Sequence, residues 1–141
     1  MNVNLSIKLN FDFSFNLIEN ISWVSQQFRN FTHLILNKNN LTSFNFELIK
    51  FFEYLTHFDL SSNKLYDLNF LDEKFDSKLD YLNISNNKIK ILPNRLLSNF
   101  ILLNKLDYSH NELRLIDAEA FKKLAKLKFL HLDHNNLINL D

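Results

Sequence analysis

The chain has 141 residues, room for one domain or for about half a dozen short repeats, and too little for a two-domain cofactor enzyme. It has no Gly, so phosphate-cradling loops and strand-to-helix nucleophile elbows, which rely on residues without a Cβ, are excluded; it has no Cys, which removes disulfides, thiolate metal sites and cysteine nucleophiles. Sixteen basic and sixteen acidic residues cancel, so no long-range field draws this surface to nucleic acid or anionic lipid.

From the N-terminus, Val3, Leu5, Ile7, Leu9, Phe11, Phe13, Phe15 and Leu17 alternate with polar neighbours. This pattern predicts a long half-buried strand, read as protection of the N-terminal edge. The same alternation lacks the unbroken apolar stretch of a signal peptide, and no window approaches the length of a membrane span, so neither segment is expected here.

Further along, Asn39, Asn63, Asn87, Asn111 and Asn135 follow one another at intervals of 24 residues. With Asn at 22 of 141 positions, five of five has odds of roughly one in ten thousand by composition alone. Counting Phe31 as position 1, positions 1, 4, 6, 11 and 14 are apolar in five successive units: Phe31, Leu34, Leu36, Leu41 and Phe44 open the series, and Leu127, Leu130, Leu132, Leu137 and Leu140 close it. A degenerate unit precedes them, with Lys8 at position 1, Phe11, Phe13, Asn16, Ile18 and Ile21 on the template, and a step of 23 from Asn16 to Asn39. The expected division is residues 1–30 for the edge strand and degenerate repeat, then 31–54, 55–78, 79–102, 103–126 and a truncated 127–141.

This L-x-x-L-x-L-x-x-N-x-L pattern resembles the leucine-rich repeat family over residues 8–141, and its 24-residue period resembles the subclass common in Toll-like receptor ectodomains and small extracellular recognition proteins. The resemblance implies an α/β repeat solenoid: a horseshoe segment with a parallel concave β-sheet and short helical or irregular convex segments. The Cys-clustered end caps of secreted members are absent. The last unit breaks off at its position 15, Asp141, so its apolar layer is expected either to have lost a cap or to meet a partner.

The residue types fit that implication. Positions 4 and 6 point inward from a short strand while 3, 5 and 7 point outward. Asn at position 9 replaces the backbone partners lost where the chain leaves the strand, so Asn16, Asn39, Asn63, Asn87, Asn111 and Asn135 are expected to form a buried ladder. In the return segments, Ile49 and Phe52, Leu97 and Phe100, and Phe121 and Leu124 keep a three-residue step suited to short helical turns. Asp117 resembles a helix N-cap, which makes 117–126 the expected helix; Glu73 and Asp76 break the apolar step and predict a looser second return; Pro93 suits an extended outer connection.

The outward positions form columns across the concave face. Position 3 contributes His33, His57, Tyr81, Lys105 and Phe129; position 5 contributes Ile35, Asp59, Asn83, Asp107 and His131. Positions 7 and 8 add Asn37, Ser61, Ser85, Ser109 and Asp133, and Lys38, Ser62, Asn86, His110 and His134. From these, His57, Asp59, Tyr81, Asn83, Lys105, Asp107, Phe129 and His131 are the expected protein-binding residues, with Tyr81 and Phe129 as anchors. A transition-metal site drawn from His110, His134, His131, Asp107 and Asp133 is not expected, because side chains on adjacent strands project in parallel rather than converge. His57 beside Asp59 lacks a nucleophile and an oxyanion site, so no catalytic residue is assigned, and no cofactor.

The expected function is non-enzymatic recognition of a protein ligand through the concave face, within a larger receptor-like or secreted protein. A structural scaffold docking through its C-terminal end, or the substrate-selecting part of an intracellular multidomain protein, are the alternatives. Five N-x-S/T sequons, at Asn4, Asn20, Asn30, Asn40 and Asn83, lean toward an extracellular or cell-surface location against a cytoplasmic one, although a glycan on Asn83 would obstruct the concave sheet.

Overall fold

The structure, a computed structural model, describes residues 9–21, 30–69, 74–92, 94–116 and 119–138. Val3, Asn4, Leu5, Ile7, Lys8, Glu73, Pro93, Asp117, Leu140 and Asp141 lie outside the described residues.

Six short strands make one parallel sheet: β1 (Leu9–Asp12), β2 (Phe31–Ile35), β4 (His57–Asp59), β6 (Tyr81–Asn83), β7 (Lys105–Asp107) and β8 (Phe129–His131), side by side in that order. His33, His57, Tyr81, Lys105 and Phe129 stand opposite one another from β2 to β8, so the repeat period sets the register without slippage. At a strand spacing of about 4.8 Å, the sheet runs roughly 25 Å across. From Asn10 on, the degenerate first turn pairs at its own 23-residue step, with Phe11 opposite Leu34, and a register shift lies between Leu9 and Asn10. On the outer side, β3 (Ser43–Asn45) pairs in parallel with β5 (Asp67–Asn69), and Ile91 pairs with Leu115, one turn further on at the same repeat position.

The alternation of residues 3–17 produces less strand than it predicts: β1 covers Leu9–Asp12 among the described residues, while Phe15 and Leu17 are 70% and 82% exposed. The backbone turns into the left-handed region at Phe15 (φ 56°), which ends the extended run where every later repeat also turns.

Because a single turn cannot bury its own apolar flank, the core exists only between turns. Phe31, Leu34, Leu36, Leu55, Phe58, Leu60, Leu65, Leu79, Leu82, Ile84, Leu103 and Leu106 are all fully buried, each at a template position. Burying one such side chain contributes about 1.5–3 kcal/mol. Phe rings thicken this core: Phe44 meets Phe46 and Phe58 edge-on, with centroids 4.8 and 5.0 Å apart, and Phe31 lies 4.9 Å from Phe52. The last turn differs. Leu130 is 38% exposed where Leu34, Phe58, Leu82 and Leu106 are at 0%, and Leu127, Leu132 and Leu137 are only partly buried.

Each interior Asn spans two turns. The Asn63 side chain donates to the Leu60 and Ser61 carbonyls of its own turn (3.0 and 3.2 Å) and to Leu36 of the preceding one (3.0 Å), while its oxygen accepts the Leu41 N–H at 3.0 Å. Asn39, Asn87, Asn111 and Asn135 repeat this set. Among the described residues, Asn16 makes the own-turn half, to Phe13 and Ser14, and is exposed.

Among the described residues the convex returns carry little helix: a 3₁₀ helix at Phe46–Phe51, capped by the Asn45 side chain accepting Glu47 N–H at 3.0 Å, and one α turn, α1 (Asn94–Leu97). The helix expected over 117–126 is absent from its described part. Residues 119–126 are turns closed by three-residue bonds, Lys122 N–H to Glu119 and Leu124 N–H to Phe121 (3.2 and 2.9 Å). Such turns rise about 2.0 Å per residue against 1.5 Å for an α-helix, so they cover the return with fewer residues while still turning Ala120 and Leu124 into the core. In the second return, the residues described from Lys74 onward are non-helical, and Phe75 packs on the core with its N–H on Asn99 Oδ1 (3.2 Å).

Candidate functional site on the concave sheet

Position 3 builds a continuous row of rings and a cation. His33 and His57 stack face to face at 4.2 Å with planes 12° apart, and Tyr81 follows at 5.8 Å. Lys105 places its ammonium 5.3 Å from the Tyr81 ring, and Phe129 stands at the end, 57% exposed. Thr32 and Thr56, one residue before each imidazole, hold His33 Nδ1 and His57 Nδ1 through hydroxyl contacts of 2.9 Å. Neighbouring strands force these side chains to within ring-contact distance because the register is exact to the residue, so the row is pre-ordered. Burial, then the nearby charge of His57, holds His33 below the ordinary histidine value. Burial and the Asp59 carboxylate, with a smaller part from Asp107, push the Tyr81 hydroxyl above its usual value.

Position 5 serves the fold as well as the surface. The side-chain oxygens of Asp12, Asp59, Asn83 and Asp107 accept the backbone N–H two residues on, from Ser14, Ser61, Ser85 and Ser109, at 2.9, 2.8, 3.0 and 3.1 Å. These are Asx turns that close the strand end. The recurrent D/N-x-S spacing was visible in the sequence; in Asn83-Ile84-Ser85 it coincides with a sequon, and Asn83 Oδ1 is engaged in the turn. Position 7 divides: Ser61, Ser85 and Ser109 do not face outward as expected but are 7%, 6% and 7% exposed, tucked beneath those turns, whereas Asp133 in the last turn is exposed.

Position 8 follows in the left-handed region throughout: Phe15, Lys38, Ser62, Asn86, His110 and His134 have φ between 52° and 56°. The turn aims the following Asn inward, and the N–H of residue 8 continues the ladder, Lys38 to Ser61, Ser62 to Ser85, Asn86 to Ser109 and His110 to Asp133 (3.0, 2.9, 3.0 and 2.9 Å). A chain without Gly therefore bears this strain on residues with a Cβ. Lys38 lies 4.1 Å from the Phe15 ring and His110 stacks on His134 at 4.1 Å, so this column also presents ordered rings.

All five His of the chain lie in these outward columns: His33 and His57 at position 3, His131 at position 5, His110 and His134 at position 8. His131 is exposed on β8. Of the eight residues expected to bind a partner, Phe129 and His131 are exposed and the other six are half-buried, standing as a surface strip rather than a cleft. Among the described residues no helix is long and apolar enough to cross a membrane.

Residues 77–137 match the leucine rich repeat family. No curated protein matches the sequence. Among solved structures, the internalin InlF from Listeria monocytogenes superposes with a TM-score of 0.70 at 23% identity, over 89% of this chain and 35% of its own. The functional domain of InlJ from the same organism, which includes a cysteine ladder, superposes with a TM-score of 0.70 at 26% identity, over 92% of this chain and 26% of its own. Internalin C2, also from L. monocytogenes, gives 0.54 at 21% identity, over 91% of this chain and 62% of its own. The chain thus spans less than two thirds of each of these proteins.

Proposed function

Taking the chain as an array of leucine-rich repeats, we propose that it is a non-enzymatic recognition module that binds a protein ligand through its concave sheet, within a larger receptor-like or cell-surface protein. The observation that carries this reading is the position-3 row, His33, His57, Tyr81, Lys105 and Phe129, because it offers ordered aromatic area on a rigid sheet. Aromatic side chains immobilised before binding lose little entropy on contact, and they are enriched at interface centres. Acidic Asp59 and Asp107 beside the row supply the polar flank that fixes register with a partner. The concave curvature of repeat arrays is the surface such proteins present to ligands. The five sequons support an extracellular or cell-surface setting.

Site-specific photo-crosslinking tests the reading. A photoreactive residue at Tyr81 or Phe129, used in the native host, should capture a partner that the same residue at the exposed convex positions Glu53 and Lys123 does not. Equal capture from both faces, or capture from the convex positions alone, rejects the concave site.

A second reading rests on the last turn. Its Leu127, Leu130, Leu132 and Leu137 layer is open where the same layer of inner turns is sealed, and apolar surface of that kind favours docking onto another domain or chain. A monomeric sedimentation profile with no binding of a hydrophobic dye counts against it.

A further inference from the structure

We propose that His110, Asp133 and His134 form a binding site for a divalent transition-metal ion of the zinc, nickel and copper class. One ligand atom from each of the three residues lies within 4.8 Å of the other two. A zinc ion with bonds of about 2.0–2.2 Å separates its tetrahedral ligands by roughly 3.4 Å, so closing the site needs shifts on the order of 1 Å. Exposed side chains make such shifts by small torsions, and all three residues are exposed.

Two features order the ligands before any ion arrives. His110 and His134 occupy position 8 of consecutive turns with the same left-handed backbone (φ 52° and 53°), and their rings stack at 4.1 Å and 13°. The His110 N–H donates to the Asp133 carbonyl at 2.9 Å, tying the two turns together at the site, while the ladder residues Asn111 and Asn135 anchor the chain immediately after each imidazole. The Asp133 carboxylate stands 3.8 Å from His134 Nε2 and supplies the anionic oxygen. Parallel projection from adjacent strands places the two imidazoles at one rung spacing beside a carboxylate; because stacked rings aim their in-plane lone pairs in parallel, coordination requires the exposed rings to tilt out of the stack toward a common ion. Two imidazoles and a carboxylate suit zinc, nickel and copper, and leave a coordination position for water.

The chain also contains its own comparison. His33 and His57 stack at 4.2 Å in the same manner, but among the described residues no carboxylate completes that pair into a three-ligand cluster. His131, although on β8, is outside the cluster as well.

Calorimetric titration of tag-free protein with nickel, zinc, copper(II) and magnesium chlorides tests the proposal. We expect one ion per chain, tighter copper than nickel or zinc, and no response to magnesium. Substituting Asn keeps the left-handed backbone accessible, so His134→Asn and His110→Asn should fold as the parent does, checked by thermal melting. Removing a mere outer-shell partner costs about 10–100-fold in metal affinity, so each of these variants and Asp133→Asn should lose at least roughly tenfold. His33→Asn, His57→Asn and His131→Asn should bind as the parent does. Absence of nickel and zinc binding by the parent, full affinity in His134→Asn and His110→Asn, or loss of binding in His33→Asn, overturns the site.

Discussion

The side-chain oxygen of Asn87 accepts the backbone N–H of Leu65 across 2.9 Å, so an amide of one turn completes the hydrogen bonding of the turn before it. Its nitrogen does the same for the Leu60 carbonyl at 3.1 Å while also serving Ile84 and Ser85 in its own turn. Neighbouring repeats are therefore joined by side chain to backbone, in addition to the sheet and the apolar layers.

Asn87→Ala leaves the Leu65 N–H unpaired, at about 1–3 kcal/mol for a buried group, and removes one of two amide donors from the Leu60 and Ile84 carbonyls, which keep Asn63 and Asn111. A loss of about 1–3 kcal/mol is expected in urea unfolding. Asn16→Ala, at an exposed first turn with the own-turn bonds alone, should cost less than about 1 kcal/mol. Equal losses at the two positions would contradict the two-turn role.

The left-handed position is tested at Ser62 (φ 53°). Ser62→Gly relieves about 1 kcal/mol of backbone strain and adds a similar amount of unfolded-state entropy, so its net effect should stay within about 0.5 kcal/mol. Ser62→Val, β-branched, should destabilise by about 1–2 kcal/mol. Denaturant midpoints of the two variants decide this, and a neutral Val variant would refute the strain.

Tyr108 takes the position that Leu or Ile holds in most turns; it is fully buried and donates its hydroxyl to the Ile91 carbonyl at 2.9 Å. Burial pushes its pKa far above the ordinary tyrosine value of 10.0. The unfolded state therefore releases this proton at about pH 10 while the folded state retains it, so stability falls as pH rises above 10, by about 1.4 kcal/mol per pH unit. Tyr108→Phe should lose about 0.5–1.5 kcal/mol at neutral pH. It should also lack this part of the alkaline slope, measured by denaturant unfolding at pH 9, 10 and 11.

His33 binds its proton less readily in the fold than in the unfolded chain, first through burial and then through His57. Between its lowered folded value and the ordinary one near 6.5, the unfolded state holds more protons, so this group's contribution to stability is lost as pH falls below about 6.5. His57→Gln removes the second cause and should move the His33 ring-proton titration upward toward the ordinary value. An unmoved titration would show that burial alone sets it.

The 24-residue period was enough to establish parallel strands in register, the inward rows at positions 4, 6 and 11, and the inward Asn, because each is a consequence of residue type recurring at one place in a stacked unit. Phe58 or Leu82 reads as core from spacing alone. The convex side was less legible: a cap-like Asp117 argued for a helix, whereas the described residues 119–126 form three-residue turns. At the concave face the sequence named the columns, and the tertiary structure decided how they divide. It turned Asp59, Asn83 and Asp107 toward their own backbone, buried Ser61, Ser85 and Ser109 beneath them, and stacked His33 on His57 and His110 on His134. Periodicity specifies which residues share a column, since that depends on position along the chain. Contact within a column depends on the left-handed turn at position 8 and on the strand spacing, both of which exist only once the turns are stacked.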